Sequence, residues 1–375
     1  MIERYLYKKI ISNLAKQKVS VLLGARRVGK TELLKKVYEY AGRDAMWLNG
    51  EDENAEALLA ERSAANYKSL LQDKKLLIID EAQYVPDIGR KVKLMIDEIK
   101  PLHIIITGSS AFDISQQSGE PLVGRNITYQ MYPIAQTELT STENLLVMRE
   151  KLPERLIYGS YPELLSIESL GEKRKYLSEL VNTYLFKDIL AFENLRNPQK
   201  LKDLLVLIAY QLGSEISLDE LGRNLQLSKN TVEKYLDLLA KTFVVYKRAG
   251  FSRNLRKEIT KSSRWYFYDN GIRNALINAF NPLAIRQDVG MLWENYIMAE
   301  RVKHNDYNER YVNSYFWRTY DQQEIDLIED DGNNISAFEM KYTSQKVKTP
   351  VAFSKAYPDA SYKVITREDY RDFIV

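Results

Sequence analysis

The chain has 375 residues, of which 45% are hydrophobic and 28% charged, with two histidines, no cysteine and a formal net charge of +3. At about 150 residues per domain this is a globular protein of two or three domains, which excludes a mainly disordered or collagen-like chain. The lack of cysteine excludes disulfide scaffolds, thiolate metal sites and cysteine nucleophiles, and His103 and His304 are too few for a histidine-rich zinc site.

The opening MIERYLYKK is charged within its first four residues and has no apolar h-region, so it does not read as a secretory signal. No apolar run approaches the ~18 residues of a membrane span, and a cytoplasmic protein without membrane contact is expected. Residues 19–23 then read as a strand, 31–40 as a helix, 45–48 as a short strand, 76–80 as a buried strand, 89–99 as a helix and 103–107 as another strand. Strands alternating with helices predict a parallel sheet. A loop-like stretch at 118–124 leads into a strand at 126–130.

Between the first strand and first helix lies Gly24-Ala25-Arg26-Arg27-Val28-Gly29-Lys30-Thr31, a complete G-x-x-x-x-G-K-[ST] phosphate loop. Its glycines let backbone N–H groups converge on phosphate oxygens, and the positive end of the helix that begins here, with Glu32 in its first turn, adds to the attraction. Lys30 is expected at the β- and γ-phosphates of ATP and the Thr31 hydroxyl on Mg²⁺. Arg26 and Arg27 are open to nucleotide, a partner subunit or solvent. The strand Leu76-Leu-Ile-Ile ends in Asp80-Glu81. Asp80 is expected to support the metal and Glu81 to polarise the attacking water. Next to them, Thr107 or Ser109 is placed to sense the γ-phosphate, although Gly-Ser-Ser also suits a simple turn.

The region 153–208 is helical in pattern, and 215–250 reads as helix, turn, helix and strand. Ser217 and Ser228 are candidate caps for the two helices. With a strand at 265–268 this predicts a winged helix. Its second helix offers Lys229 and Asn230 to DNA, and its wing offers Arg253, Arg256 and Lys257. Residues 241–264 hold eight Lys/Arg and one Glu, a local charge of 8 − 1 = +7. The alternative is a packing module between domains.

From Gly290 a helix (292–304) precedes strands at 312–317, 324–329 and 335–341. Asp326 followed by Glu339-x-Lys341 fits the PD-(D/E)xK arrangement, with Glu339 and Lys341 on one strand face. Two carboxylates would hold Mg²⁺ and the lysine would orient water, with Glu294 or Glu300 as a third acid. The alternative is alternating solvated charge on an edge strand. Residues 286–375 carry 16 acids against 12 bases, net −4, which argues against a strongly DNA-adherent surface. The aromatics Tyr311, Tyr315, Phe316 and Trp317 are expected in the core.

The ordered set of motifs resembles AAA-type ATPases of bacteria and archaea in which the ATPase precedes a domain of unknown function, number 4143. The resemblance rests on Asp80-Glu-Ala-Gln83, Thr107-Gly-Ser-Ser110, Leu122-Val-Gly-Arg125, Tyr132-Pro-Ile134, Tyr158-Gly-Ser-Tyr-Pro-Glu163 and Lys187-Asp-Ile189. It continues through Gly290-x₃-Glu294-Asn295, Phe316-Trp-Arg318, Glu324-Ile-Asp326 and Glu339-Met-Lys341. It implies ATP and Mg²⁺ as ligands and a possible homo-oligomer, DNA or a protein as partner. It also offers Arg125 as an arginine finger, within the chain or toward a neighbouring subunit, against the alternative of a surface ion pair. The expected architecture is α/β. A P-loop NTPase sheet of AAA type (1–150) is followed by a helical and winged-helix domain (151–285) and an α+β PD-(D/E)xK-like domain (286–375).

Overall fold

The computed structural model describes residues 2–108, 122, 124–185, 197–252, 263–343 and 347–375. The chain divides into two compact units, Met1–Tyr132 and Pro133–Val375. Among the described residues no helix is long and apolar enough to cross a membrane.

The first unit is built on five parallel strands: β1 (Val19–Leu23), β2 (Ala45–Asn49), β3 (Leu76–Asp80), β4 (His103–Gly108) and β5 (Asn126–Gln130). Their spatial order is β2-β3-β4-β1-β5. The helices are α1 (Tyr5–Asn13), α2 (Lys30–Ala41), α3 (Glu53–Ala60), α4 (Ala64–Leu71) and α5 (Ile88–Glu98). Every residue of β3 and β4 is buried, as a parallel sheet covered on both faces requires. Val19, Val21, Leu77, Ile79, Ile104 and Ile106 share one face with apolar residues of α3, α4 and α5. Leu22, Ile78 and Ile105 alternate to the other face, and α2 packs on β2 and β3. The chain leaves β1 toward β2 on one side, yet β5 flanks β1 on the other. This switch point opens at the carboxyl ends of the strands, where α/β folds bind ligands.

The second unit begins with α6 (Gln136–Leu139), α7 (Leu145–Tyr158), α8 (Leu170–Glu179) and α9 (Pro198–Tyr210). Next come β6 (Glu215–Ile216), α10 (Leu218–Leu225), α11 (Lys229–Lys241), β7 (Val245–Gly250), β8 (Ser263–Phe267) and α12 (Asn270–Leu276). It closes with α13 (Val289–Tyr307), β9 (Asn313–Arg318), β10 (Glu324–Asp330), β11 (Ile335–Met340), α14 (Val351–Ala356), β12 (Ser361–Ile365) and α15 (Arg371–Ile374). Ser217 and Ser228 accept the backbone N–H groups of Glu220 and Thr231, capping α10 and α11.

All seven strands form one mixed sheet in the order β12-β11-β10-β9-β7-β8-β6. The strands expected of a winged helix and those expected of the C-terminal domain are therefore continuous, joined where Ala249 and Gly250 pair in parallel with Tyr315 and Phe316. Helix α13 lies on one face, where Trp293, Tyr296 and Ile297 pack with Leu327, Met340 and Ile365. Phe251, Trp317, Ile325, Ile328 and Phe353 form the opposite layer. A register shift between Ile325 and Ile328 explains how these two, three residues apart, share a face. Phe316 and Trp317 belong to the core as expected, whereas Tyr311 is exposed.

Buried polar ties fix α13 to its surroundings. Asn295, with no solvent exposure, donates to the Phe267 carbonyl (3.1 Å) and accepts from its N–H (2.8 Å). It also donates to Asn270 at 2.7 Å. Arg301 makes a two-pronged pair with Glu329 at 2.8 and 2.6 Å. Replacing Asn295 by Leu strands the Phe267 backbone groups, and a loss of about 2–5 kcal/mol is expected. The measurement is the denaturant midpoint of the 133–375 unit, and an unchanged midpoint contradicts this role.

Candidate functional site

The phosphate loop leaves the end of β1 and turns into α2. Gly24 has φ 155°, and a Cβ there would lie 2.2 Å from the Met131 carbonyl oxygen, so only glycine fits so close to the neighbouring backbone. Gly29 caps α2 at φ 97°, a left-handed conformation. Ala25 and Val28 are buried, Arg26 is half-buried and Arg27 is exposed. Arg26 donates to the Tyr84 hydroxyl at 3.4 Å. Lys30 is 6% exposed and folds back on the loop, donating to the carbonyls of Gly24 (2.8 Å) and Ala25 (3.1 Å). Glu32 points outward and pairs with Lys35 at 2.6 Å, so its carboxylate does not join the loop.

Strand β4 lies between β1 and β3, and its Thr107 fills the gap. Asp80 Oδ2 accepts from the Thr31 hydroxyl at 2.8 Å, and Oδ1 accepts from the Thr107 hydroxyl. Thr107 in turn accepts the backbone N–H of Glu81 at 2.8 Å. One network thus joins the start of α2, β4 and the acid pair after β3. Glu81 has φ 49°, in the left-handed region, which turns the chain sharply behind Asp80. Its carboxylate accepts from the Gln83 side-chain amide. Ser109 lies outside the described residues.

Arg125 stands apart from this edge. It immediately precedes β5, and its carbonyl accepts the N–H of Val19 at the start of β1. It is therefore at the opposite end of the strands, about 16 Å from the loop by strand rise. It pairs with Asp97 at 2.8 Å on the surface. The expectation of an arginine finger for the chain's own nucleotide is corrected here: the geometry is that of the surface ion pair.

Two residues that the motif does not contain complete the edge. Arg4, at the cap of α1, donates to the Val28 carbonyl in the loop and to the Tyr132 carbonyl at 2.7 Å. Gln83 holds Glu81 as described. The sequence signal for Gln83 is its place in Asp80-Glu-Ala-Gln83; Arg4 has no local signal.

Family models match three consecutive regions. An AAA domain covers residues 16–140, and a domain of unknown function (DUF4143) covers 289–373. The chain is thus similar to AAA domains over its first third and to DUF4143 over its C-terminal part. Between them, another domain of unknown function (DUF8612) matches 149–283. An uncharacterized protein of Mycobacterium tuberculosis is 27% identical over 333 residues, 87% of this chain and 70% of that one. An uncharacterized protein of Methanocaldococcus jannaschii is 25% identical over 319 residues, 80% of this chain and 69% of that one. Among solved structures, a Walker-type ATPase of Pyrococcus abyssi matches 74% of this chain and 96% of its own, at 16% identity and TM-score 0.49.

In the DUF4143 region, Glu339 and Lys341 share a face, with Nζ 2.7 Å from Oε1. Asp326 Oδ2 accepts the Met340 N–H at 2.8 Å. Burial and the Glu294 and Glu339 carboxylates push the Asp326 carboxyl well above its usual range. Burial also raises Glu294, against the pull of Arg264 and the Tyr266 hydroxyl. Glu294, Asp326 and Glu339 are thus electrostatic neighbours. Glu300 is not among them. It is buried against Lys303 (2.7 Å) and accepts the Gln136 N–H (2.7 Å), which makes it a structural group and corrects its candidacy as the third acid.

Of the expected DNA contacts, Lys229 and Asn230 are exposed at the start of α11, with Lys229 3.7 Å from Asp219. Arg253, Arg256 and Lys257 lie outside the described residues. Removal of the Arg4 guanidinium loses two charge-assisted bonds, one to the loop carbonyl of Val28 and one to the Tyr132 carbonyl. Arg4→Ala is expected to raise the KM for ATP about three- to thirty-fold, with Arg4→Lys in between. Unchanged ATP kinetics in Arg4→Ala contradict the clamp.

Proposed function

We propose that the chain binds ATP with Mg²⁺ at the phosphate loop and hydrolyses it, and that this turnover gates what the 133–375 unit does to DNA or a protein partner. The single observation that carries the reading is Asp80 held between the hydroxyls of Thr31 and Thr107, with Glu81 directly behind it. A hydroxyl and a carboxylate at hydrogen-bond distance are hard oxygen donors of the kind Mg²⁺ takes, so this pair fits the ion.

The loop N–H groups and the start of α2 bind the phosphates, and Lys30 exchanges its loop carbonyls for β- and γ-phosphate oxygens. Thr31 and Asp80 hold the metal, which when bound neutralises charge on those oxygens. Glu81 polarises the attacking water, Gln83 orients its carboxylate, and Thr107 links Asp80 to the Glu81 backbone. The helix pair α10–α11, with Lys229 and Asn230 exposed, supports a winged-helix contact to DNA. A second reading is a nucleotide-switched module that binds a protein and whose nuclease-like part is inert. The arginine inside the acidic centre favours it over an ATP-dependent nuclease.

Lys30→Ala is expected to weaken ATP binding by about ten- to a hundred-fold through loss of a charge-assisted phosphate contact. Glu81→Gln is expected to retain ATP and lose turnover by about 10²–10⁴-fold. The test is ATP hydrolysis by wild type and Glu81→Gln, with and without single- and double-stranded DNA. DNA stimulation abolished by Glu81→Gln supports the DNA reading. Turnover indifferent to DNA supports the protein-partner reading. Normal hydrolysis by Glu81→Gln overturns the assignment of Glu81.

A further inference from the structure

The PD-(D/E)xK spacing implies a divalent cation between Asp326 and Glu339, and the residues present do not fit one. Arg264 enters the centre from β8, its side chain only 5% exposed. Its Nη2 lies 2.7 Å from Glu324 Oε2. Its Nη1 is 3.9 Å from Glu294 Oε1 and 3.8 Å from Asp326 Oδ1. The guanidinium sits 4.7 Å from the centre of the Phe316 ring.

The carboxylate oxygens are otherwise largely committed. Asp326 Oδ2 is held by the Met340 N–H, Glu294 Oε1 accepts from the Tyr266 hydroxyl at 2.7 Å, and Glu339 Oε1 pairs with Lys341. Glu339 Oε2 is a buried oxygen with no hydrogen-bond partner, and a divalent ion takes six or more ligands in all. Among the described residues no group of three or more His, Asp or Glu side chains is set to hold a metal ion.

We propose that Arg264 is the resident cation of this centre, its guanidinium pairing with Glu324 and facing Glu294 and Asp326 in place of a divalent metal. The fixed positive charge is always protonated and its planar fork serves several carboxylates at once, which a lysine does not do. The backbone keeps it there: Arg264 pairs with Glu215 of β6 on one side and Arg248 of β7 on the other. The acids of the nuclease-like motif thereby tie β8 to β10 and α13, and their work is to hold one sheet together. This inference concerns the 133–375 unit and does not depend on ATP turnover.

The test is Mn²⁺ binding to the full chain without nucleotide, read by electron paramagnetic resonance of the free ion at about 100 µM metal. Wild type and Asp326→Asn are expected to sequester the same amount. An extra equivalent bound by wild type and lost in Asp326→Asn overturns the proposal. Arg264→Gln, folded by circular dichroism, is expected to gain a site at least about tenfold tighter, which Asp326→Asn in the same chain removes. A folded Arg264→Gln that gains no Mn²⁺ also overturns it. If Arg264→Gln does not fold, the comparison of wild type with Asp326→Asn decides alone.

Discussion

The nucleotide edge depends on one carboxylate. Asp80 ends a strand with no exposed residue, and both of its oxygens are occupied by hydroxyls from other elements. This works because β4 lies between the loop strand and the acid strand, so that Thr107 stands within reach of Asp80 and of the Glu81 N–H. Backbone approaches elsewhere on the edge are equally tight. Gly50 donates to the Asp80 carbonyl at 2.8 Å, and a Cβ on Gly50 would come within 2.4 Å of the Glu81 carbonyl oxygen. The hydroxyls and backbone that would meet Mg²⁺ and phosphate are in position beforehand, which lowers the reorganisation that binding requires.

The second unit solves a different problem. Its sheet is long and mixed, and the link between its halves is a short parallel pairing at Ala249 and Gly250. Polar groups reinforce that link: Asn295 and Arg301 of α13 reach Phe267 of β8 and Glu329 of β10, and Arg264 of β8 reaches across to Glu324 of β10. Such pairs add little net stability over apolar residues of the same shape, because charges lose water on burial. Removing one partner is costly, because it leaves an uncompensated buried charge. A cluster that looks catalytic by spacing can therefore be structural by geometry.

Much of the first unit was legible because its signals are local. The glycine-rich loop, the apolar strands and the acid pair each follow from a few adjacent residues, and β1, β3 and β5 fall where the pattern put them. What was not legible arises from distant contacts. Arg4 reaches a loop more than twenty residues away, and nothing near it in sequence marks it. Arg125 sits beside a Gly that suits a finger loop, yet the strand direction carries it to the wrong edge. Arg264 is, by sequence, one of the eight bases of the 241–264 stretch. The signal beside it is the apolar run Trp265-Tyr266-Phe267, and this strand is buried on both faces from Arg264 onward. Glu294 and Glu300 are six residues apart on one helix, and only the partners they meet, Arg264 for one and Lys303 for the other, distinguish them.

The proposed function requires ATP in the loop, with Lys30 on its phosphates and the Thr31–Asp80 pair on its metal. The most direct measurement is calorimetric titration of ATP into the full chain, with and without Mg²⁺, in wild type and Thr31→Val. The expected result is a single site in wild type that Mg²⁺ tightens, with the Mg²⁺ effect lost in Thr31→Val. Binding that ignores both Mg²⁺ and Thr31→Val, or no binding at all, contradicts it.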